Sequence, residues 1–218
     1  MADGAHMPVT AKICGLSTPP ALHAAVAGGA SHVGFVFFPP SPRHVTFDQA
    51  MPLAAQVPDR VGKVGVFVDP EDGLLDQAIA AARLDAIQLH RTSPERAAAI
   101  GLRTRLPVWA AVPVKTRADL DAANRFRGAV QRILYDAKTP EDAKLPGGMG
   151  LRFDWSLLDG FAHPLPWALS GGLDPANVAE AAGTTGARLV DVSSGVESAP
   201  GVKDVARITA FLKTVASL

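Results

Sequence analysis

Eight times along its 218 residues the chain repeats one pattern: a short, nearly continuous apolar run rich in β-branched side chains, then an Ala-rich segment of helical character. The runs lie at 11–15, 33–37, 61–67, 86–89, 108–112, 132–135, 167–169 and 189–192. A strand that is apolar at almost every position is covered on both faces, as in a parallel sheet packed beneath helices. The intervening segments read as helices at 20–27, 47–56, 70–82, 94–102, 117–125, 155–158, 175–182 and 205–216. Asp69-Pro70, Ser93-Pro94 and Asp174-Pro175 each set a capping side chain before a proline suited to the first helical turn. Gly28-Gly29 and Gly183 sit where helices should stop. Eight such units predict an α/β fold, a single-domain (β/α)8 TIM barrel over residues 10–218. The alternative, an open doubly wound sheet, carries a glycine fingerprint after its first strand, and here Gly15 stands alone. Residues 1–9 are expected to be a flexible segment outside the barrel, with Gly4-Ala5-His6-Met7 in the form of a cloning remnant.

Charge narrows the range of partners. Lys plus Arg equals Asp plus Glu, for a formal net charge of zero. That argues against a general affinity for nucleic acid or an acidic membrane surface, and leaves room for a local anion site. One cysteine excludes a disulfide framework within the chain and the paired cysteines of a zinc site. No apolar run approaches the ~18 residues of a membrane span. The first residues lack the basic start and apolar block of a signal peptide. A soluble cytoplasmic protein is the expectation.

In a barrel, reactive groups gather at the carboxyl ends of the strands. Cys14 lies there, after the first run, and is either a buried small hydrophobe or a reactive group. Asp136 ends the sixth run. Partial desolvation there raises a carboxyl pKa toward neutral and suits it to general-acid work, whereas most strand-end aspartates cap a loop. His90 ends the fourth run, as a proton carrier, a substrate donor or a satisfied structural residue. Asp191 is a charge inside a parallel strand, which is costly unless paired or functional. Arg43 stands in the proline-stiffened loop Pro39-Pro40-Ser41-Pro42-Arg43-His44, either as a solvated surface group or as a fork for a planar carboxylate. Lys138 faces the same rim or solvent. Gly171 and Gly172 follow the seventh run, and Ser193, Ser194 and Gly195 follow the eighth. Loops in those two places often form a phosphate site, with backbone N–H groups aimed at the anion and hydroxyls adding donors. The long irregular stretch 137–152, with Gly147-Gly148-Met149-Gly150, is expected to be a mobile loop on the active face. Asp154 reads as a helix cap, and Trp155 and Trp109 as packing residues.

Lys12-Ile13-Cys14-Gly15-Leu16, Ser41-Pro42-Arg43, Gln88-Leu89-His90, Asp136, Gly147-Gly148-x-Gly150, Phe153-Asp154-Trp155, Ser170-Gly171-Gly172-Leu173 and Asp191-Val192-Ser193-Ser194-Gly195-Val196-Glu197 occur in one order. Together they resemble the phosphoribosylanthranilate isomerase family of tryptophan biosynthesis, from about residue 11 to the carboxyl terminus. The resemblance implies an Amadori rearrangement of N-(5-phosphoribosyl)anthranilate, a small-molecule substrate, on a monomer or homodimer without metal or cofactor. It makes Asp136 the general acid and Cys14 the general base. It gives Arg43 the anthranilate carboxylate, places His90 and Asp191 near the sugar, and assigns the phosphate to Gly171, Gly172, Ser193, Ser194 and Gly195. For Cys14 to accept a proton near neutrality its pKa is expected to fall below the usual ~8.5. Lys12, two residues away on the same strand face, is the candidate source of the field. The chain departs from the family pattern at Arg91, where glycine is expected, and at Met149, where threonine is usual. A histidine-branch isomerase, expected to use two aspartates, and indole-glycerol-phosphate synthase, with a lysine-rich site, fit the strand-one cysteine less well. The third alternative is a non-catalytic phosphate-binding barrel.

Overall fold

The computed structural model describes residues 8–140, 143 and 145–218. Most of the expected N-terminal segment, residues 1–7, lies outside the described residues, as do Glu141, Asp142 and Lys144 of the long loop. Eight strands pair in parallel in chain order, and the last returns to the first. They are β1 (Thr10–Cys14), β2 (His32–Val36), β3 (Gly62–Val68), β4 (Ala86–His90), β5 (Val108–Val114), β6 (Arg132–Ala137), β7 (Trp167–Leu169) and β8 (Leu189–Val192). Closure excludes the open-sheet alternative. Around the barrel pack α1 (Pro19–Ala27), α2 (Phe47–Ala54), α3 (Asp72–Ala82), α4 (Pro94–Thr104), α5 (Val178–Thr185) and α6 (Val205–Val215). Arg117–Phe126 and Trp155–Leu158 are 3-10 helices, and a short antiparallel hairpin, β9 (Glu197–Ala199) with β10 (Val202–Lys203), precedes α6. Among the described residues no helix is long and apolar enough to cross a membrane.

Side chains alternate along every strand, and the two faces have different chemistry. Ile13, Phe35, Phe67, Ile87, Leu89, Ile133 and Val190 point outward and form one core with helix residues such as Leu22, Ala50, Leu75, Ile100 and Phe211. Inside the barrel, Val64, Ala86, Trp109, Leu134, Ala168 and Leu189 form an apolar plug nearer the amino ends of the strands. Trp109 therefore belongs to the core, as expected. Toward the carboxyl ends the inward positions turn polar: Lys12, Gln88, His90, Asp136 and Asp191 are all buried, beside Cys14. The polar layer rests on the plug and faces the mouth.

Three helix punctuation signals act differently from expectation. Asp69 is not the cap of α3: its N–H bonds the His90 carbonyl and its φ is 41°, so the chain is still tied to β4 and must turn before the helix starts at Asp72. Asp174 caps a turn, accepting from the N–H groups of Ala176 and Asn177, and α5 begins only at Val178. Gly183 lies within α5, which Gly186 ends in the left-handed conformation (φ 71°). Ser93 behaves as read, accepting from Arg96 N–H with Pro94 in the first turn. The segment expected as a helix at 117–125 is 3-10 instead. Only Leu120 and Ala123 are buried in it, three residues apart, a spacing that a three-residue turn aligns.

Candidate active site

At the carboxyl end of the barrel lies a cleft of about 820 Å³, part of it open to solvent. Its walls include Cys14, Arg43, His90, Asp136, Gly171, Gly172, Asp191, Ser193 and Ser194. The strand ends and the loops after them bring together every residue given a catalytic, substrate or phosphate role by the resemblance except Gly195, whose backbone stands next to Ser194.

β1 carries Lys12 and Cys14 on one face, and its register sets Lys12 beside Asp191 of β8. Lys12 is fully buried and its Nζ donates to Asp191 Oδ1 at 2.7 Å. The buried charge at Asp191 is thus paired, with Ser170 Oγ adding a second donor at 3.3 Å. Burial lowers the Lys12 pKa, but attraction to Asp191 and Cys14 outweighs it and holds the ammonium above its ordinary value. Cys14 departs from expectation: its pKa is raised, not lowered. Burial pushes the thiol up and Asp191 adds to this. The charges of Lys12 and Lys203 pull the other way without cancelling it. In this site the thiol is the resting form.

On the opposite wall, the Asp136 carboxyl is pushed up to about 7, first by burial and second by the Asp191 charge. The Ala137 N–H on Oδ1 at 2.9 Å and the Lys12 charge oppose the shift. His90 is held down at about 4 by burial and the Lys12 charge, so it is neutral near pH 7. Gln88 Nε2 donates to His90 Nε2 at 3.0 Å, leaving the ring proton on Nδ1. His90 lines the cleft with Gln88 as its hydrogen-bond partner.

Arg43 is buried rather than solvated, but its fork is already closed on a carboxylate of the same chain. Nε and Nη2 donate to Glu197 Oε1 and Oε2 at 2.7 and 2.8 Å. Nη2 also reaches the Gly148 carbonyl at 2.9 Å, and Nη1 has no hydrogen-bond partner among the described residues. A ligand carboxylate would meet the Nη1 edge. Glu197 in turn accepts Lys203 Nζ at 2.6 Å. Burial pushes the Glu197 carboxyl up, but the Arg43 and Lys203 bonds outweigh it and hold its pKa below the ordinary value. Neither Glu197, quoted only as the end of a motif, nor Lys203 was singled out from the sequence. Arg43 lies 154 residues from Glu197, and no local spacing announces that pair.

The long loop lies across the mouth. A Cβ at Gly147 would stand 2.5 Å from Asp136 Oδ2, and Gly148 touches Arg43. Arg91 adopts φ 53°, the left-handed conformation that favours glycine, and donates to the Ala143 carbonyl at 3.1 Å. Met149 is half-exposed at the cleft edge. Lys138 turns to Asp119 at 3.2 Å, and Asp154 caps the 3-10 turn at Trp155 through Ser156.

The two glycine loops bring their backbone into close contact with neighbouring chain. A Cβ at Gly195 would overlap the Leu173 carbonyl oxygen, and at Gly172 (φ 65°) it would fall 2.8 Å from the Leu151 carbonyl oxygen. Only glycine allows these close approaches. The N–H groups of Gly172, Ser194 and Gly195 donate to no group among the described residues. Ser193 differs from expectation as a hydroxyl donor: its Oγ donates to the Cys14 carbonyl at 3.2 Å and accepts from Lys203 Nζ at 3.2 Å. Among the described residues no group of three or more His, Cys, Asp or Glu side chains is arranged to hold a metal ion.

Residues 11–214 match the family model for N-(5'-phosphoribosyl)anthranilate (PRA) isomerase. The chain is 53% identical over 212 residues to the N-(5'-phosphoribosyl)anthranilate isomerase of Zymomonas mobilis subsp. pomaceae, covering 96% of this chain and 99% of that protein. It is similar to monomers generated from the dimeric phosphoribosylanthranilate isomerase of Thermotoga maritima (TM-score 0.82, 35% identity, 96% of this chain, 100% of that one). It is equally similar to a phosphoribosyl anthranilate isomerase solved with reduced 1-(o-carboxyphenylamino)-1-deoxyribulose 5-phosphate (TM-score 0.83, 34% identity, 96% and 100%).

Proposed function

The chain belongs to the N-(5'-phosphoribosyl)anthranilate isomerase family, and on that premise we propose how its residues divide the reaction. The activity is the isomerisation of N-(5-phosphoribosyl)anthranilate to 1-(2-carboxyphenylamino)-1-deoxyribulose 5-phosphate, an Amadori rearrangement in tryptophan biosynthesis. The backbone N–H groups of Gly172, Ser194 and Gly195, in the loops that include Gly171 and Ser193, take the phosphate. Arg43 takes the anthranilate carboxylate through Nη1. His90 donates to the sugar from Nδ1, and Asp191 orients Lys12 beneath it.

One observation carries the assignment: a buried carboxyl pushed up to about 7 lines the same cleft as a buried thiol, the two glycine loops and Arg43. Asp136 gives its proton to the furanose ring oxygen. The C1′–O bond breaks as the nitrogen lone pair forms a C=N bond, leaving an open-chain iminium. The Cys14 thiolate then removes the C2′ proton. That C–H pair becomes the C1′=C2′ bond, the C=N pair returns to nitrogen, and an enolamine forms. Loss of the enol O–H proton and protonation at C1′ give the ketone, with atoms and electrons conserved. Because Asp136 titrates near 7 and Cys14 above its usual range, the productive pair of acid and thiolate is a minority species with a correspondingly strong base. The Lys12 charge, on the same strand face as Cys14, stabilises the thiolate when it forms.

The test is turnover of N-(5-phosphoribosyl)anthranilate generated in situ, followed by its fluorescence and by the ¹³C signal of a new C2′ ketone. The expected result is decay in proportion to enzyme with ketone appearing at the same rate. Decay no faster than the enzyme-free reaction would overturn the reading.

A further inference from the structure

Lys203 closes the β9–β10 hairpin at the edge of the cleft, and its side chain is 1% exposed. Its Nζ makes three contacts: Glu197 Oε1 at 2.6 Å, the Ser193 carbonyl at 2.9 Å and Ser193 Oγ at 3.2 Å. Glu197 accepts four donors in all, two from Arg43, one from Lys203 and the N–H of Gly201 at 3.1 Å. Two cations therefore share one carboxylate, and among the described residues no other acid is hydrogen-bonded to either. A buried cluster with one positive charge in excess favours an anion arriving beside it.

The geometry also directs the donors. A trans peptide holds its C=O and N–H in opposite directions. Lys203 draws the Ser193 carbonyl to itself, so the Ser194 N–H of the same peptide points away from Lys203, toward the cleft. Ser193 sits at φ −129°, ψ −79°, outside the common backbone regions, and the Lys203 contacts hold that conformation. At the other end, Glu197 grips the Nε–Nη2 edge of Arg43 and fixes the guanidinium plane, so that Nη1 is the atom presented.

We infer that Lys203 and Glu197 are positioning residues that join the phosphate-facing amides of Ser194 and Gly195 to the carboxylate-facing edge of Arg43. The two anionic ends of the substrate are then held by one coupled unit, and loss of the Lys203 charge loosens both. The inference rests on the phosphate and carboxylate assignments given under Proposed function.

The test measures KM, kcat and the inhibition constants of inorganic phosphate and of free anthranilate for the wild type, Lys203→Met and Lys203→Gln. In Lys203→Met both inhibition constants and KM rise about tenfold; kcat falls as well, because the Lys203 charge also opposes the rise of the Cys14 thiol, so the two inhibition constants are the deciding readout. Lys203→Gln, which keeps a donor for Ser193 without the charge, falls between. If Lys203→Met does not fold, Lys203→Gln carries the same comparison against wild type. A variant that melts earlier yet keeps wild-type KM and inhibition constants overturns the inference, because a hairpin staple alone predicts that result. Weakening of phosphate with anthranilate unchanged also overturns it, because the ends are then independent. Those outcomes leave the functional reading intact. A wild type that neither isomerises the substrate nor is inhibited by either ion refutes that reading and the inference together.

Discussion

Replacing Lys12 by methionine removes a buried cation while keeping most of its volume. In the wild type Nζ lies 2.7 Å from Asp191 Oδ1 and the lysine side chain has no exposure at all. After the substitution Asp191 keeps only Ser170 Oγ, at 3.3 Å, among the described residues. Removing one partner of a buried pair costs ~3–5 kcal/mol, because the other charge stays desolvated. A chain of this size loses ~2 °C of Tm per kcal/mol, so thermal unfolding followed by circular dichroism should move down by ~6–10 °C. Taking away both charges, as in Lys12→Met with Asp191→Leu, should recover most of that loss, since a well-packed apolar pair replaces an ion pair at little cost. Turnover should not recover. The thiol has lost the cation that stabilises its thiolate, and kcat/KM is expected to stay down by about 10²-fold. A Lys12→Met protein melting within 2 °C of wild type would refute the reasoning, and so would a double variant with wild-type turnover.

Asp136→Asn should be more stable than wild type at pH 8 and equal to it near pH 4. The folded-state pKa of about 7 lies above the ordinary 3.8, so the favourable contribution of Asp136 is fully present below that value and is lost as pH rises through 7. The gap in thermal melts should reach at most ~4 kcal/mol, and a gap that does not change between pH 4 and 8 would contradict the burial argument. Gly195→Ala sets a Cβ on the Leu173 carbonyl oxygen. It should cost ~1–3 kcal/mol in urea unfolding and weaken inhibition by phosphate at least about tenfold. Arg91→Gly removes a left-handed arginine at φ 53° and should gain up to ~1 kcal/mol in the same assay. A loss there would mean that the bond to the Ala143 carbonyl outweighs the backbone strain.

The barrel was legible because a closed parallel sheet is buried on both faces, and burial on both faces writes continuous apolar runs. The polar interruptions were legible for the same reason. Asp136 and Asp191 stand out because most of each strand is apolar, and the alternation of side chains puts both inside. Helix starts were less readable. Asp69-Pro70 has the composition of a cap, but a hydrogen bond from Asp69 to a neighbouring strand outranks that local preference. The sign of the Cys14 shift was not readable at all. It depends on burial, and on the Asp191 and Lys203 charges far along the chain, set against the nearby charge of Lys12. Arg43 shows the same limit. Its stiff loop predicted a held guanidinium, but its carboxylate partner came from Glu197, beyond the reach of any local pattern.

The most direct test of the account compares single-turnover fluorescence decay of N-(5-phosphoribosyl)anthranilate in wild type, Cys14→Ala and Asp136→Asn, with binding of the reduced product analogue measured alongside. The account predicts that each substitution lowers the chemical rate by at least about 10²-fold while analogue affinity changes only a few-fold. Either variant turning over at the wild-type rate would contradict it.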